Sequence, residues 1–216
     1  MKKNAEMIGV YGRRGSGKTT RVLLLIRDRP RVVVFDPTGE FEREHGVTAF
    51  CDGDALRLYL ARHWQRGFRV AFTPRANYER EQLHALATFL LACQRPYLDG
   101  ADARTITLVV EEMNLGYPAQ GLPQHLDGMS RVCNQGRHYG IEVIGVTQRP
   151  PLVSATFRGG LAETWIFPLA RADDRGEVLN MLGRQWGDQL AALQAHHCLH
   201  YHNGAVRRDA NPAPRP

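Results

Sequence analysis

The ten residues YGRRGSGKTT, at positions 11–20, hold the most specific chemistry in the chain. Gly12, four further residues, then Gly17, Lys18 and Thr19 match the spacing G-x-x-x-x-G-K-[ST] of a phosphate-binding loop. Among 28 basic residues only Lys2, Lys3 and Lys18 are lysines, so a lysine here departs from the habit of the chain. A planar guanidinium needs room for its fork, whereas an ammonium is a compact point charge on a slim stem that backbone can wrap. In such a loop glycines let successive N–H groups curl around a polyphosphate, and the following helix adds the partial positive charge of its N-terminus. Lys18 then bridges the β- and γ-phosphates. The Thr19 hydroxyl ligates Mg²⁺, which prefers oxygen ligands and keeps most of its water. The candidate nucleotide cradle is therefore Gly12, Arg13, Arg14, Gly15, Ser16, Gly17, Lys18, Thr19 and Thr20, with ATP and Mg²⁺ as the implied cofactors.

A second group of residues supplies what a phosphate loop lacks. The run TITLVVEE ends in Glu111 and Glu112, the arrangement of a Walker B strand. The first carboxylate suits the Mg²⁺ shell, and the second suits orienting or deprotonating an attacking water. IEVIGVTQ ends in Gln148, a neutral donor able to contact a γ-phosphate or hold that water. RVVVFD ends in Asp36, followed by Pro37, Thr38, Gly39, Glu40 and Phe41, a sequence that also reads as an ordinary turn.

Elements must bring these residues together. Apolar, β-prone runs recur as MIGVY, RVVVFD, RVAFTP, TITLVVEE, IEVIGVTQ, TWIFPLA and HCLHYH. Helical spacing falls between them, at about 18–28, 53–66, 78–94, 122–138 and 173–195, the last broken near Gly183. Alternating strands and helices with nearly continuous apolar strands predict an α/β fold, a mainly parallel central sheet with helices on both faces. Ligands of such sheets bind beyond the carboxyl ends of the strands. MIGVY before the loop and TTRVLLLIRD after it give the strand, loop and helix order that the motif requires.

Composition sets the remaining bounds. A length of 216 residues suits one well-buried domain, expected over 1–202, with the polar, Pro-rich ending NGAVRRDANPAPRP, 203–216, as a mobile tail. Cys51, Cys93, Cys133 and Cys198 lie far apart without a C-x-x-C pair, which suggests neither a zinc knuckle nor a disulfide framework and fits a reducing cytoplasm. No N-terminal signal pattern is visible, and aliphatic runs such as VLLLI and LVV are far too short to span a bilayer. A net charge of +6 fits a polyanionic partner. His196, His197, His200 and His202 alternate in a way that could suggest a metal, but several histidines carried on one strand read as a strand and not as a metal site.

Taken in order, GRRGSGKTT, FDPTGEF, LVVEEMN and GRHYGIEVIGVTQRP resemble the HerA/FtsK superfamily of P-loop ATPases, ring-forming motors that move double-stranded DNA. The resemblance spans about residues 7–150. The compact length is most similar to the genome-packaging ATPases of tailless, membrane-containing icosahedral viruses. It implies a RecA-like (ASCE) P-loop NTPase fold, a homo-oligomeric ring of six or five subunits, double-stranded DNA as partner, and capsid or portal-vertex proteins as a docking surface. It implies location in host cytoplasm or at a packaging vertex, without direct membrane insertion. It assigns Lys18, Glu112, Gln148 and Arg137 to catalysis, with Thr19 and Glu111 to the metal. Arg137, in NQGRHYG, matches the arginine that a neighbouring subunit inserts beside the γ-phosphate, and Arg131 is the alternative six residues earlier. The family has Asp then Glu where this chain has Glu111 then Glu112, so Glu111 reaches the metal shell with one extra methylene. The segment LGYPAQGLPQHLDG is one candidate for DNA contact. Two other functions use the same loop: a nucleotide or small-molecule kinase, and a virion-assembly or secretion ATPase acting on protein.

Overall fold

The computed structural model describes residues 5–212. Nine strands form one sheet: β1 (Met7–Tyr11), β2 (Arg31–Phe35), β3 (Thr48–Phe50), β4 (Phe68–Phe72), β5 (Ile106–Val110), β6 (Ile141–Thr147), β7 (Glu163–Ile166), β8 (His197–His202) and β9 (Ala205–Ala210). Their spatial order is β3-β4-β2-β5-β6-β1-β7-β8-β9. Every pairing from β3 across to β7 is parallel, and β7–β8 and β8–β9 are antiparallel. The helices are α1 (Lys18–Ile26), α2 (Glu40–His45), α3 (Gly53–His63), α4 (Glu79–Cys93), α5 (Arg95–Leu98), α6 (Met113–Gly116), α7 (Gly128–Gln135), α8 (Ala155–Gly159), α9 (Ala172–Leu182) and α10 (Gly187–Ala191).

The apolar runs behave as the middle of a covered sheet must. Successive side chains of a strand point to opposite faces, and along β2 Val33 and Phe35 join one buried cluster while Val32 and Val34 join another. The first cluster packs under α3, α4 and α7 through Leu56, Leu60, Leu83, Leu90, Met129 and Val132. The second is closed by Val22 and Ile26 of α1 and by Phe41 of α2. A third, with Ile166, Val178, Leu182, Leu190 and Leu199, lies beneath α9 and α10. Both faces are thus dry, which explains why these strands read as continuous hydrophobic stretches.

Several segments differ from the sequence expectation. The 122–138 helix is only α7, because Pro123 and the left-handed Gly140 (φ 66°) confine its flanks to single 3₁₀ turns at Gln124–Leu126 and Gly136–Tyr139. The 173–195 helix breaks at Gly183, φ 94°, as expected. α2 and β3 were not anticipated, being six and three residues long and without a periodic signature. The expected mobile tail, 203–216, is also corrected: Ala205–Ala210 is strand β9, paired residue for residue with β8, and Asn211 is buried. Its last four residues, 213–216, lie outside the described ones. The LGYPAQGLPQHLDG segment, which carries no Lys or Arg, is anchored at Tyr117, Pro118 and Leu126, while Ala119, Gln120, Gly121, Pro123, Gln124 and His125 stay exposed. Tyr117 is buried with its hydroxyl 2.8 Å from Ser130 Oγ, and Pro118 bridges to Val153.

Candidate active site

Register fixes where the site lies. Phe35 pairs with Val110, Val110 with Gly145, and Tyr11 with Thr147, so β2, β5, β6 and β1 finish along one edge of the sheet. The residues immediately beyond those ends are Asp36, Glu111, Gln148 and Gly12. Parallel pairing therefore gathers four strand ends that are far apart in sequence, at the edge where open α/β sheets bind ligands.

The loop itself is tightly folded. The Gly12 N–H donates to the Thr147 carbonyl at 3.2 Å and the Arg13 N–H to the Pro168 carbonyl at 2.8 Å, pinning the loop to β6 and to the segment after β7. A Cβ at Gly12 would lie 2.6 Å from both Phe167 Cβ and Ser16 Oγ, so only glycine lets the loop lie this close to the sheet. Gly17 sits at φ 104°, ψ 13°, a left-handed conformation that costs an ordinary residue but not glycine, and it starts α1. Lys18 curls back inside the loop, its Nζ donating to the Arg13 carbonyl at 3.1 Å. Arg13, Arg14 and Gly15 are exposed, Ser16 is buried, and Thr19 and Thr20 are half-buried on the first turn of α1.

Opposite the loop stand the acids. Burial pushes the Lys18 ammonium below its ordinary value, while Glu111, Glu112 and Glu40 act against that shift. Burial likewise raises the Glu111 carboxyl to about 8. Lys18 opposes that rise, and Asp36, Glu112 and Glu40 add to it. Glu111 Oε1 is buried without a hydrogen-bond partner, as is Ser16 Oγ. Buried polar atoms without partners are uncommon in folded proteins, and here both flank the lysine of a phosphate loop. Glu112 leaves the strand in the left-handed region, at φ 42°, ψ 53°. For a residue other than glycine that conformation stores about 1–3 kcal/mol and is typical of functional sites. The turn aims its carboxylate at Gln148, whose Nε2 donates to Glu112 Oε1 at 2.6 Å.

One contributor escaped the sequence reading. Asp36 does not face the site freely. Its Oδ1 accepts from the Thr38 N–H at 3.2 Å and the Thr38 hydroxyl at 2.9 Å, and its Oδ2 accepts from the Phe41 N–H at 2.8 Å. The turn reading of Asp-Pro-Thr-Gly is correct, and its consequence is α2, whose first residue, Glu40, lies with Oε1 3.5 Å from Thr19 Oγ1. The available signal was positional: an acid directly after a turn at a strand's carboxyl end. Thr19 and Glu40 thus place oxygens side by side, and Glu111 and Glu40 both act on Lys18; oxygen donors of this kind suit a hard divalent cation.

The candidate arginines are elsewhere. Arg137 is exposed in the 3₁₀ turn that precedes β6, and Arg131 is half-buried on α7. β6 has seven residues, so its two ends are separated by about 20 Å at the usual rise per residue. Arg137 is therefore at the opposite end of the sheet from the phosphate loop of its own chain. Arg149, in the TQRP block, is held within the chain by Asp174 at 2.9 Å and Asp173 at 2.8 Å. Of the clustered histidines, His200 does have an acid partner, Glu163, across the β7–β8 ladder at 2.7 Å.

Sheet order, loop and paired strand-end acids together define the RecA-like P-loop ATPase fold. No protein-family model matches the sequence, and no curated protein matches it. Shape is more telling. The genome packaging NTPase B204 from Sulfolobus turreted icosahedral virus 2, in complex with AMPPCP, superimposes with a TM-score of 0.71 at 13% identity, covering 98% of this chain and 99% of that one. The pCW3 conjugation coupling protein TcpA, in its monomer form with ATPγS, gives 0.62 at 14% identity over 95% of this chain and 60% of its own. EssC (ATPases 2 and 3) from Geobacillus thermodenitrificans gives 0.58 at 11% identity over 96% and 40%. At such identities the likeness establishes the fold.

Proposed function

We propose that this chain is an ATP-hydrolysing motor of the HerA/FtsK type that translocates double-stranded DNA, and that its task is packaging a viral genome into a procapsid. The observation that carries the hydrolytic part is the Gln148–Glu112 bond of 2.6 Å beside Lys18. A carboxylate held in a strained turn by a neutral amide is placed to take a proton from the attacking water. Lys18 and the loop amides bind the phosphate oxygens and hold the γ-phosphate still, which is most of what phosphoryl transfer asks of a protein. Thr19 and Glu111 would hold Mg²⁺, with Glu40 beside them; the ion supplies neutralisation of charge on the β- and γ-oxygens.

The distance from Arg137 to its own loop gives the assembly its logic. An exposed arginine at the far end of β6 serves catalysis only at the loop of a neighbouring copy, so the working form is a ring and an isolated chain hydrolyses slowly. DNA as cargo is supported by the end-to-end shape match with a packaging NTPase, which the longer TcpA and EssC chains do not give, and by the net charge of +6. Measuring ATP turnover with and without double-stranded DNA tests the reading. Stimulation that falls steeply with salt and ignores base sequence is expected, since a motor tracking a duplex holds phosphates. Turnover indifferent to DNA would redirect the assignment to a protein-translocating ATPase.

A further inference from the structure

The segment around β8 and β9 reaches back to the phosphate loop through two bonds, braced by a third. The His196 N–H donates to the Ser16 carbonyl at 2.8 Å, and Asn211 Nδ2 donates to the Gly17 carbonyl at 2.7 Å. The Asn211 N–H closes the bracket on the His196 carbonyl at 2.8 Å. His196 and Asn211 are the residues flanking the β8–β9 hairpin, so the base of the hairpin is clamped on the loop.

The clamp is itself anchored. Asn211 is buried, and its Oδ1 accepts from Arg21 Nε at 3.0 Å, which fixes the amide with its donor end on Gly17. Arg21, on α1, also donates to the Ala210 carbonyl at 3.0 Å and lies 3.9 Å above the centre of the Trp165 ring. Trp165 stacks in turn on His200 of β8, with centres 3.7 Å apart and planes within 5°. No side chain fits between loop and clamp, since a Cβ at Gly17 would lie 2.7 Å from Asn211 Nδ2 and 2.9 Å from His196 Nδ1.

Peptide geometry gives this contact a consequence. The Ser16 carbonyl shares a peptide plane with the Gly17 N–H, and the Gly17 carbonyl shares one with the Lys18 N–H. No cis peptide occurs among the described residues, so in each plane the N–H points opposite to the C=O. The Ser16 carbonyl is held by the hairpin, and the Gly17 carbonyl is shared between the hairpin and the Arg21 N–H of α1 at 3.1 Å. Together these bonds turn the Gly17 and Lys18 N–H groups away from the hairpin, and these are the donors that a phosphate loop offers to its anion. We propose that Asn211, with the His196 backbone and the Arg21 guanidinium, is a positioning set that presets those amides for a polyphosphate. Docking of the C-terminal hairpin and binding of a triphosphate are then coupled events. This proposal rests on reading residues 12–19 as a nucleotide site.

The test uses the full chain with Mg²⁺ and inorganic tripolyphosphate, a probe that lacks the nucleoside and so reports on the loop alone. Asn211→Asp keeps size and the acceptor for Arg21 but removes the donor to Gly17. Because it also adds a negative charge, its affinity relative to the wild type is read at high ionic strength, where that repulsion is screened. Its tripolyphosphate and ATP affinities should both weaken about tenfold, the usual scale of one lost hydrogen bond in a polar site. A merely structural role would alter unfolding temperature and leave the affinity of the folded protein unchanged. If the wild-type chain binds no tripolyphosphate, or Lys18→Ala binds it equally well, the nucleotide-site reading fails and takes this proposal with it. If the wild type binds, Lys18→Ala does not, and Asn211→Asp binds like the wild type, the positioning proposal alone falls. Should Asn211→Asp not fold, hydrogen exchange of the wild type decides. With tripolyphosphate at ten times its Kd, exchange of the His196 and Asn211 amides should slow about tenfold, because only the docked state binds. Unchanged exchange at those two amides overturns the coupling.

Discussion

Residues 12–19 and residues 196–211 touch each other, but different forces shape them. The phosphate loop is built from neighbours in sequence: glycines at set intervals, a lysine, and the first turn of α1. Its polar atoms are partly left over, as with the buried Ser16 Oγ, so it carries chemistry at a cost in local satisfaction. The hairpin is built from distant partners. Its Asn211 meets Arg21 and Gly17, Arg21 meets Trp165, and Trp165 meets His200, and each of these pairs joins different parts of the chain. Two buried ring nitrogens of this network, His196 Nδ1 and Trp165 Nε1, also lack partners, so what sets it apart is that its contacts tie distant segments together, which carries stability. The contrast teaches that damage at the loop should remove activity without unfolding, whereas damage to the packing that anchors the hairpin, at Trp165 and His200, should unfold first and inactivate as a result. Asn211, by contrast, acts on the loop directly.

The largest effects expected are at the interface that the proposed ring would form. Arg137→Ala should bind nucleotide yet lose turnover by about 10³–10⁵, the usual scale for an arginine acting in trans. Lys18→Ala should be as inactive while melting like the wild type. Mixing the two inactive proteins, once co-assembly is verified, should restore partial activity at interfaces that pair an intact loop with an intact arginine. Full activity of Arg137→Ala alone would remove this arginine from the mechanism and turn attention to Arg131. Next comes Glu112→Gln, which keeps shape and loses proton acceptance. Single-turnover kinetics should show ATP bound but cleaved about 10²–10⁴ times more slowly. Normal cleavage would place the base elsewhere, and Glu40 would be the next candidate.

The hairpin should respond on the stability axis. Trp165 is buried between Arg21 and His200, and Trp165→Ala should cost about 3–5 kcal/mol in urea unfolding, the range for truncating a buried aromatic. A Trp165→Ala protein as stable as the wild type would erase the contrast between the two regions. The smallest effect is a pH dependence. Burial lowers the His200 imidazole from its ordinary 6.5, while Glu163 and Asp209 act in the opposite sense and Arg207 reinforces the shift. Arg207 Nε donates to His200 Nδ1 at 3.0 Å, so the ring is neutral, with its Nε2–H on Glu163. The unfolded chain takes up a proton near 6.5 that folded His200 resists, so this residue's contribution to stability is complete above that pH and declines as pH falls below it. Replacing His200 with Gln should flatten the acid limb of a stability-versus-pH curve, and an unaltered limb would discount His200 as its source.

Much of this was legible because it depends on local spacing. Strands β1, β2, β4, β5, β6 and β7 read as mainly apolar runs, since a sheet buried on both faces favours apolar side chains at most positions. β9 did not, because AVRRDA is an edge strand held by backbone pairing to β8, which leaves almost no side-chain signature. Lys18, Thr19, Glu111, Glu112 and Gln148 could be named because a strand end or a loop interval marks each of them. Glu40, His196 and Asn211 could not. Glu40 reaches Thr19 only after Asp36 has folded α2.

The sequence alone determined which chemical groups this protein owns and, through hydrophobic periodicity, the alternation of strands and helices that sorts them into strand ends and loops. Tertiary structure decided which of those ends lie side by side. It gave Glu112 to Gln148, sent Arg137 to the opposite edge, and turned an expected loose tail into the clamp on the phosphate loop. The physical reason is that a backbone carbonyl looks the same at every residue. Which donor reaches the carbonyls of Ser16 and Gly17 is settled only when β8 and β9 dock against β7, and no local pattern encodes that encounter.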